Sequence, residues 1–289
     1  MKQLKVKIAE NKRISRDFYK MCVESVYLTK NSKPGQFVEV KCSDGFEPLL
    51  RRPLGVHRML NNGIEILYEV VGKGTELLSR KRSGDTIDVI GPLGSGFSLT
   101  RSMVYGRWSV VLIAGGVGVA PLVALAENLV HSSKLIVHGK RKKIKLYVLI
   151  GARTKSHILC VDEFKKLGAE VIIYTEDGSL GKKGLITAGL NSLLPTLNSQ
   201  LSTIYACGPI AMLKTIAKIA ETKRIPCQVS MEERMACGVG VCLGCPVRIR
   251  TAYSVQRTAL TQYAQRNTQY EYKMVCKDGP VFNAEDVVW

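Results

Sequence analysis

The 289-residue sequence predicts three consecutive units. They are an antiparallel β-barrel over residues 1–101, a doubly wound α/β domain with a parallel sheet over 102–225, and a small cysteine-rich module over 226–289. Three observations predict this division. Short strands with alternating apolar residues come first, buried strands alternating with helices follow from about residue 106, and a tight group of cysteines comes last.

The first unit consists of short runs of β-branched and aromatic residues separated by turn residues. Pro34-Gly35, Asn62-Gly63 and Ser83–Asp85 mark the turns. Strands of this length with period-two alternation are typical of an antiparallel barrel. The expected strands are 4–11, 18–26, 36–42, 63–71 and 85–91.

The second unit alternates between two hydrophobic periods. Buried strands are expected at 108–116, 145–152, 170–177 and 202–209, and helices at 121–131, 160–168 and 211–223. Strands that alternate with helices build a parallel sheet covered on both faces.

Composition limits the classes of function. The net charge is +18, yet the basic residues are spread along the chain, and the densest run, 139–145, is expected to be a solvated loop. Basic and aromatic residues are not interleaved in the pattern that would predict a nucleic-acid-binding surface. No apolar stretch is long enough for a membrane span, and no hydrophobic signal core opens the chain. A cytoplasmic location is therefore expected, where nine cysteines favour metal or redox use over disulfides.

A glycine-rich turn between a predicted strand and helix indicates a nucleotide site. Gly115, Gly116 and Gly118 permit a tight turn and let a phosphate approach backbone N–H groups at a helix N-terminus. Cys207, Gly208 and Pro209 end a later strand at the same edge of the sheet, where ligands of such folds bind. Cys207 could equally be a small buried residue.

Two motifs in the first unit favour an anion. Arg51 and Arg52 precede Pro53, and arginine pairs bidentately with phosphate. The stretch 67–78, "LYEVVGKGTELL", contains a glycine-rich helix start with Lys73 nearby, and Tyr68 is suited to stacking on a flat ring or sugar. Each motif alone could be surface punctuation, but together, ahead of a nucleotide-type domain, they indicate a pyrophosphate clamp.

The cysteines of the third unit have a metal-binding spacing. Cys237, Cys242 and Cys245 read C-x4-C-x2-C, and Cys276 follows 31 residues after the third. This is the plant-type [2Fe–2S] spacing, whereas a zinc site more often shows two separated C-x2-C pairs. The other five cysteines are scattered and are interpreted as structural. His57, His131, His138 and His157 form no metal-spaced set and are interpreted as surface or loop residues; no catalytic acid, base or nucleophile is predicted.

The order of motifs over nearly the whole chain resembles a known family. "RRPLGV", "VGKGTELLS", "VIGPLGSGF", "AGGVGVAPL", "YTEDGSLGKKGLIT", "YACGP", "EERMACGVGVCLGC" and "VCKDGPVFNAEDV" appear in sequence. They resemble the electron-transfer subunits of NAD-dependent (type B) dihydroorotate dehydrogenase, in the ferredoxin-reductase superfamily. The resemblance implies FAD in the barrel, one [2Fe–2S] cluster, and NAD as acceptor.

The resemblance also implies a role and a partner. Electrons from an FMN-containing catalytic subunit would pass through the cluster and FAD to NAD+ in pyrimidine (UMP) biosynthesis, in a heterotetramer of two subunits of each kind. Neither a nucleic-acid nor a membrane partner is expected.

The NAD contacts expected from the glycine-rich turn and the later strand end are Gly115, Gly116, Gly118, Cys207, Gly208 and Pro209. Residue by residue, the resemblance implies two further sets. The FAD contacts fall on Arg52, Pro53, Leu54, Gly55, Leu67, Tyr68, Glu69, Gly74 and Thr75. The cluster ligands fall on Cys237, Cys242, Cys245 and Cys276.

The chain departs from the family pattern at three places. Family members usually have Ser or Thr at the position of Gly55, and often Arg at the position of Glu69. Lys73 and Arg51 are candidates to replace the missing cation. The connection over 251–272 is longer than usual and is interpreted as a surface insertion that alters the partner interface.

Two alternatives are open at this stage. The small subunit of a ferredoxin:NADP oxidoreductase or sulfide dehydrogenase resembles the chain throughout, but commonly has Asp at the first ligand position, where this chain has Cys237. A zinc-containing, nucleic-acid-binding protein is the alternative of another class, motivated by the charge.

Overall fold

A computed structural model describes residues 1–99, 107–134, 136–137, 140–141, 143–199, 202–256 and 265–289. Residues 140–141 and 143–145 of the densest basic run lie in strands, so the expectation of a loop is wrong for them, and His138 lies outside the described residues. Within the described part of the chain, no helix is long and apolar enough to cross a membrane.

The first unit is a closed six-stranded antiparallel barrel. Its strands are β1 (Lys2–Arg13), β2 (Phe18–Glu24), β3 (Phe37–Lys41), β4 (Arg52–Leu60), β5 (Gly63–Glu69) and β6 (Thr86–Leu93), with the short helices α1 (Val26–Asn31) and α2 (Lys73–Ser79) in the connections. The order around the barrel is β1-β2-β5-β4-β3-β6, and β6 pairs back onto β1. The predicted antiparallel barrel is confirmed.

Two elements of the barrel are absent from the sequence prediction. Strand β4 begins at Arg52-Pro53, and proline cannot donate to a ladder, so the motif reads as a turn. In the barrel Pro53 lies opposite Glu39 on β3. Helix α1 begins where a strand was expected to end, because the Ser25 hydroxyl accepts the Leu28 N–H and caps the helix.

The second unit is built on a seven-stranded sheet. Its strands are β7 (Arg107–Gly115), β10 (Lys143–Ala152), β11 (Glu170–Thr175), β12 (Lys182–Lys183), β13 (Ser202–Cys207), β14 (Cys227–Ser230) and β17 (Val281–Asn283). The order is β12-β11-β10-β7-β13-β14-β17, with every pair parallel except β14 with β17. The order reverses between β7 and β13, as in doubly wound folds, so the predicted parallel α/β class is confirmed.

Helices cover this sheet. They are α3 (Val119–Lys134), α4 (Val161–Lys166), α5 (Ile186–Leu193) and α6 (Ile210–Lys223), and a separate two-stranded ribbon pairs β8 (Ile136–Val137) with β9 (Lys140–Arg141). Helix α3 is buried along most of its first ten residues, because it lies between the sheet and strand β4 of the barrel. Helix α5 was missed because the preceding stretch is rich in glycine.

The cysteine-rich segment is structurally continuous with the sheet. Strands β14 and β17 both follow residue 225 and extend the sheet of the second unit. Between them lie residues 231–245, called here the cysteine loop, and a hairpin of β15 (Pro246–Gln256) and β16 (Gln265–Met274). The boundary between the second and third units, placed between residues 225 and 226, stays a prediction. The expected insertion, 251–272, continues both strands of the hairpin, and its centre, 257–264, lies outside the described residues.

The Asn62-Gly63 turn yields a first prediction. A Cβ at Gly63 would lie 1.9 Å from the backbone oxygen of Val23, where β5 pairs with β2. We expect Gly63→Ala to lower the free energy of unfolding by about 3 kcal/mol, because the backbone must shift to admit the methyl group. Urea denaturation followed by circular dichroism measures the change.

Gly45→Ala is the matched control, since a Cβ at Gly45 meets nothing within 4 Å. Equal midpoints for the two variants would contradict the prediction.

Candidate functional site

The cysteine loop gathers its thiols around converging backbone N–H groups. The Gly240 N–H donates to Cys276 Sγ at 3.1 Å, and the Cys276 N–H donates to Cys245 Sγ at 3.4 Å. The N–H groups of Val239 and Cys242 both donate to Cys237 Sγ at 3.5 Å. Backbone donors aimed at sulfur are the environment that cysteine-ligated iron–sulfur clusters require.

Two glycines give the loop its shape. Gly238 and Gly240 have φ angles of 69° and 81°, in the left-handed region that glycine adopts without strain. These reversals turn successive N–H groups toward the sulfurs. The predicted ligand spacing thus coincides with a loop whose conformation depends on the glycines between the cysteines.

The thiols differ in how readily they ionise. Burial disfavours the Cys237 thiolate, but the N–H groups of Cys242 and Val239 outweigh it and lower the pKa of Cys237 to about 6. Burial and the neighbouring Cys245 thiol raise the pKa of Cys276 to about 12. A bound cation would remove that proton. The chemistry of the four predicted ligands, Cys237, Cys242, Cys245 and Cys276, therefore fits an iron–sulfur cluster.

A buried carboxylate from the barrel lies against this loop. Glu39 on β3 is 1 % exposed, and a Cβ at Gly238 would lie 2.5 Å from its Cγ. Both carboxylate oxygens of Glu39 lack a hydrogen-bond partner among the described residues. Burial raises its pKa to about 7, against the opposing charge of Arg51. Glu39 escaped sequence reasoning because it sits between valines in an ordinary strand pattern.

A cavity of about 150 Å³ lies where the three parts of the chain meet. The barrel contributes Pro53, Gly55 and Leu67; the α/β unit contributes Val117, Ala120 and Cys207; the cysteine-rich segment contributes residues 231–233, Met235 and Pro280. A mostly apolar cavity of this kind suits a flat ring. Pro53, Gly55 and Leu67 of the predicted FAD set line it.

Arg52 lies at the start of α2. A Cβ at Gly74 would lie 2.7 Å from Arg52 Nε, so only a glycine lets the guanidinium lie across this turn. Arg52 donates to the carbonyls of Leu50 and Arg51. The Thr75 hydroxyl donates to the Gly72 carbonyl and accepts from the Val71 N–H, which holds the turn together. Arg52, Gly74 and Thr75 thus meet at one corner, where the guanidinium could pair with an anion.

The proposed substitutes for a missing cation are already paired. Arg51 makes an ion pair with Asp88 at 2.9 Å and donates to the Asp88 carbonyl at 3.0 Å. Lys73 pairs with Glu47 on the surface. Each of the two candidate cations therefore already neutralises a carboxylate, Asp88 for Arg51 and Glu47 for Lys73.

The side chain of Tyr68 does not face the cavity. It is 1 % exposed inside the barrel, stacks on Tyr19 with centroids 5.7 Å apart, and donates its hydroxyl to Asn11 at 3.1 Å. The expectation that this ring stacks on a cofactor is wrong, because strand alternation turns Leu67 outward and Tyr68 inward. Leu54 and Glu69 are half-buried on the barrel surface, and Gly55 has open space above its Cα.

The predicted NAD residues form two touching turns at the carboxyl edge of the sheet. A Cβ at Gly118 would lie 2.4 Å from the Cys207 oxygen, and Gly208 lies against the backbone of Gly115. Gly115 and Gly118 therefore serve close packing. Gly116, with a φ of 55° and nothing near its Cβ position, faces open space. Cys207 is buried and Pro209 is exposed.

His57 is not the surface or loop residue that the sequence predicts. His57 is 0 % exposed on β4, and its Nδ1–H donates to the Ala120 carbonyl of α3 at 2.9 Å. His131 is exposed on α3, and His157 lies half-buried in a short turn. The arginine-rich sequence around His57 gives no sign of its burial, which results from the packing of α3 on the barrel.

Glu39 yields a prediction of pH-dependent stability. Its pKa is raised from 4.5 in the unfolded chain to about 7, so the free energy of unfolding falls as pH rises through this window, by about 3 kcal/mol in total. Glu39→Gln removes the cost of ionisation. We expect its thermal unfolding midpoint to exceed that of the wild type at pH 8 and the gain to vanish near pH 5. A pH-independent difference would contradict this.

The cysteine loop yields a prediction of metal content. Cys237→Ser replaces a soft thiolate by a poor iron ligand, so we expect less than half of the iron and acid-labile sulfide of the wild type, measured chemically and by visible absorbance. Cys42→Ala, at a buried cysteine of the barrel, is the control and should retain both. Full iron content in Cys237→Ser would remove this residue from the ligand set.

Comparisons with known proteins agree with this geometry. Residues 112–218 match the family model of the oxidoreductase NAD-binding domain, and residues 232–259 and 261–288 match the iron–sulfur cluster binding domain of dihydroorotate dehydrogenase B. The solved structure of an NADH-dependent reduced ferredoxin-NADP oxidoreductase is 30 % identical, with a TM-score of 0.73 over 98 % of this chain and 90 % of that one. A ferredoxin NADP+ reductase from Neisseria gonorrhoeae, solved with FAD and NADP, shares the fold at 16 % identity, with a TM-score of 0.61 over 77 % of this chain and 92 % of that one.

Two curated relatives cover the chain from end to end. The electron transfer subunit of dihydroorotate dehydrogenase B (NAD(+)) from a Geobacillus species is 37 % identical over 100 % of this chain and 99 % of its own. The subunit of the same name from Caldanaerobacter subterraneus is 34 % identical over 99 % of both chains. The FAD, NAD and iron–sulfur cofactors implied by the resemblance are those of this fold and family. The chain is an oxidoreductase subunit and belongs to the family of electron transfer subunits of NAD+-dependent dihydroorotate dehydrogenase B.

Proposed function

We propose that this chain conducts electrons from an FMN-containing dihydroorotate-oxidising subunit, through a [2Fe–2S] cluster and FAD, to NAD+. The observation that carries the proposal is the cavity at which the barrel, the glycine turn of the α/β unit and the cysteine-rich segment meet. A flavin supplies the required conversion, since NAD+ accepts a hydride whereas an iron–sulfur cluster carries single electrons. The protein contributes binding, orientation and exclusion of water.

Each part of the chain has a separate task in this proposal. Pro53, Gly55 and Leu67 shape one wall of the cavity for the flavin ring, and Arg52 with Gly74 and Thr75 holds its pyrophosphate. Leu54, Tyr68 and Glu69 belong to the same proposed FAD set, with Tyr68 contributing its backbone. Gly116 and the turn at Cys207, Gly208 and Pro209 receive NAD, with Gly115 and Gly118 holding the two turns together.

The cysteine loop completes the path. Its tip carries exposed Val241 and Leu243, 79 % and 65 % exposed, beside the exposed ligand Cys242. This surface suits the approach of a redox partner, and no side chain of the chain is required to act as acid or base on dihydroorotate. The proposed assembly is a cytoplasmic heterotetramer with two subunits of each kind.

A second function rests on the solved neighbour. The NADH-dependent reduced ferredoxin-NADP oxidoreductase is 30 % identical to this chain, so a ferredoxin-linked partner is the alternative. The two functions share cofactors and differ in what docks at the cluster. Cys237, where that alternative commonly has Asp, favours the dihydroorotate-linked one.

Co-purification of the native complex, followed by an assay of NADH formation, tests the function. We expect NADH formation that requires dihydroorotate, this chain and its partner together. Reduction of NAD(P)+ by ferredoxin or sulfide, without a response to dihydroorotate, would overturn the proposal in favour of the alternative.

The anion-binding corner yields a further prediction. Arg52→Gln removes a charge-assisted hydrogen bond to phosphate, so we expect at least a tenfold rise in the dissociation constant for FAD, measured by flavin fluorescence. Lys73→Gln is the control, because Lys73 is paired with Glu47, and should bind FAD like the wild type. A larger loss in Lys73→Gln than in Arg52→Gln would assign the phosphate to Lys73.

A further inference from the structure

A group of metal-ligand side chains lies away from the cysteine loop, at the junction of the barrel and the α/β unit. His57 comes from β4, Glu65 from β5, and Cys160 and Glu163 from the start of α4. One ligand atom each from His57, Cys160 and Glu163 lies within 4.8 Å of the other two. The junction thus brings together nitrogen, sulfur and oxygen donors from two separately built units.

Local backbone features direct these side chains to one point. The pairing of β4 with β5 shifts register between Val56 and Arg58, so His57 sits in a bulge that turns its ring outward toward α3 and α4. Cys160 has a φ of 61°, a left-handed conformation that is uncommon for a residue with a side chain. Both irregularities occur at residues of the group.

The histidine presents a free lone pair to the group. Because the Ala120 carbonyl can only accept, the proton of the neutral ring is on Nδ1, and Nε2 is the unprotonated nitrogen. Burial lowers the pKa of His57 to about 4, which keeps the ring neutral at pH 7. A ring N–H held by a backbone carbonyl is the usual support of a metal-ligating histidine.

The atoms facing Nε2 are also electron-pair donors. Glu65 Oε1 lies 3.5 Å from Nε2, is buried, and has no hydrogen-bond partner among the described residues. Cys160 Sγ lies 3.9 Å from Nε2, and burial with the Glu163 carboxylate raises the pKa of its thiol to about 12. Without a metal, the protonated Cys160 thiol donates to Nε2. The contact between Nε2 and Glu65 Oε1 instead brings two lone pairs together in a buried place, where they repel unless a proton or a cation lies between them.

We propose that His57 Nε2, Cys160 Sγ, Glu65 and Glu163 form a binding site for a divalent cation of the zinc class that joins the barrel to the α/β unit. Ligand atoms at 2.0–2.3 Å from a tetrahedral zinc lie about 3.3–3.6 Å from one another. The separations of 3.5 Å and 3.9 Å from Nε2 to Glu65 and Cys160 are within a few tenths of an ångström of that arrangement. Glu163 lies within 4.8 Å of Nε2 and of Cys160 Sγ, so its carboxylate moves inward when the metal binds. Imidazole and thiolate select zinc over magnesium or calcium.

The charges balance when the cation binds. The Cys160 thiol loses one proton to solvent as its sulfur binds the metal. One thiolate and two carboxylates then face a dication and the Lys20 ammonium, whose Nζ lies 2.5 Å from Glu163 Oε1, and the sum is zero. Because Lys20 pairs with Oε1, Oε2 is the Glu163 oxygen that we assign to the metal.

Metal analysis and X-ray absorption on the full chain, with its iron–sulfur cluster loaded and iron quantified, test the site. After incubation with Zn2+ and gel filtration we expect one zinc per chain in addition to the cluster iron. Its absorption fine structure should show one sulfur at about 2.3 Å and three nitrogen or oxygen ligands at about 2.0 Å. Three or four sulfur ligands would place the zinc in the cysteine loop, and no retained zinc would leave the junction without a metal; either result overturns the proposal.

Variants assign the ligands. We expect Cys160→Ala and Glu65→Gln each to raise the zinc dissociation constant at least tenfold, by competition with a chromophoric chelator, with iron content unchanged. Cys227→Ala, at a buried cysteine on β14 outside the group, should bind zinc like the wild type. Cys160 is buried, so Cys160→Ala could prevent folding. Glu65 is partly exposed and glutamine has the same shape as glutamate, so Glu65→Gln remains informative in that case. Unchanged affinity in both Cys160→Ala and Glu65→Gln would overturn the proposal.

Discussion

The segment that follows Cys276 holds the three parts of the molecule in one arrangement. The Gly279 carbonyl accepts from the Ser95 N–H at the end of the barrel, and the Pro280 carbonyl accepts from the Met231 N–H at the start of the cysteine loop. Val281 then enters β17 and pairs with Ser230 on β14, which adds an antiparallel edge strand to the seven-stranded sheet. Three consecutive residues, Gly279 to Val281, therefore contact the barrel, the loop and the sheet. The cavity between them depends on this segment for its walls.

Buried charge is concentrated where these parts touch. Glu39 faces the cysteine loop from the barrel, and Arg51 with Asp88 forms an ion pair on the neighbouring strands. At the opposite junction, Lys20 pairs with Glu163 beside His57. Desolvation makes each of these groups costly to leave without a partner, so the relative placement of barrel and α/β unit is linked to their protonation and to what they bind. The interfaces are therefore chemically specific, whereas the cores of the barrel and the sheet are ordinary hydrophobic packing.

The candidate site shows which features of a binding site a sequence motif can predict and which it cannot. Glycines in the turn at 115–118 indicate a nucleotide, but their roles differ. Gly115 and Gly118 are needed for the contact with Cys207 and Gly208, and only Gly116 faces open space. Tyr68 shows the same limit, because a residue can belong to a binding motif while its side chain packs in the core. A motif identifies a place on the chain, and the path of the backbone decides which atoms a ligand meets.

The fold class, the order of the units and the spacing of Cys237, Cys242 and Cys245 with the later Cys276 could all be predicted from local patterns. These patterns are alternation for strands, longer periods for helices and short intervals between cysteines. Which residues of distant segments meet could not be predicted in this way. Glu39 against Gly238, and His57 with Glu65 against Cys160 and Glu163, are contacts across units that no local pattern records. The reason is physical: the burial that shifts the ionisation of these side chains exists only after the barrel, the sheet and the cysteine loop have packed together.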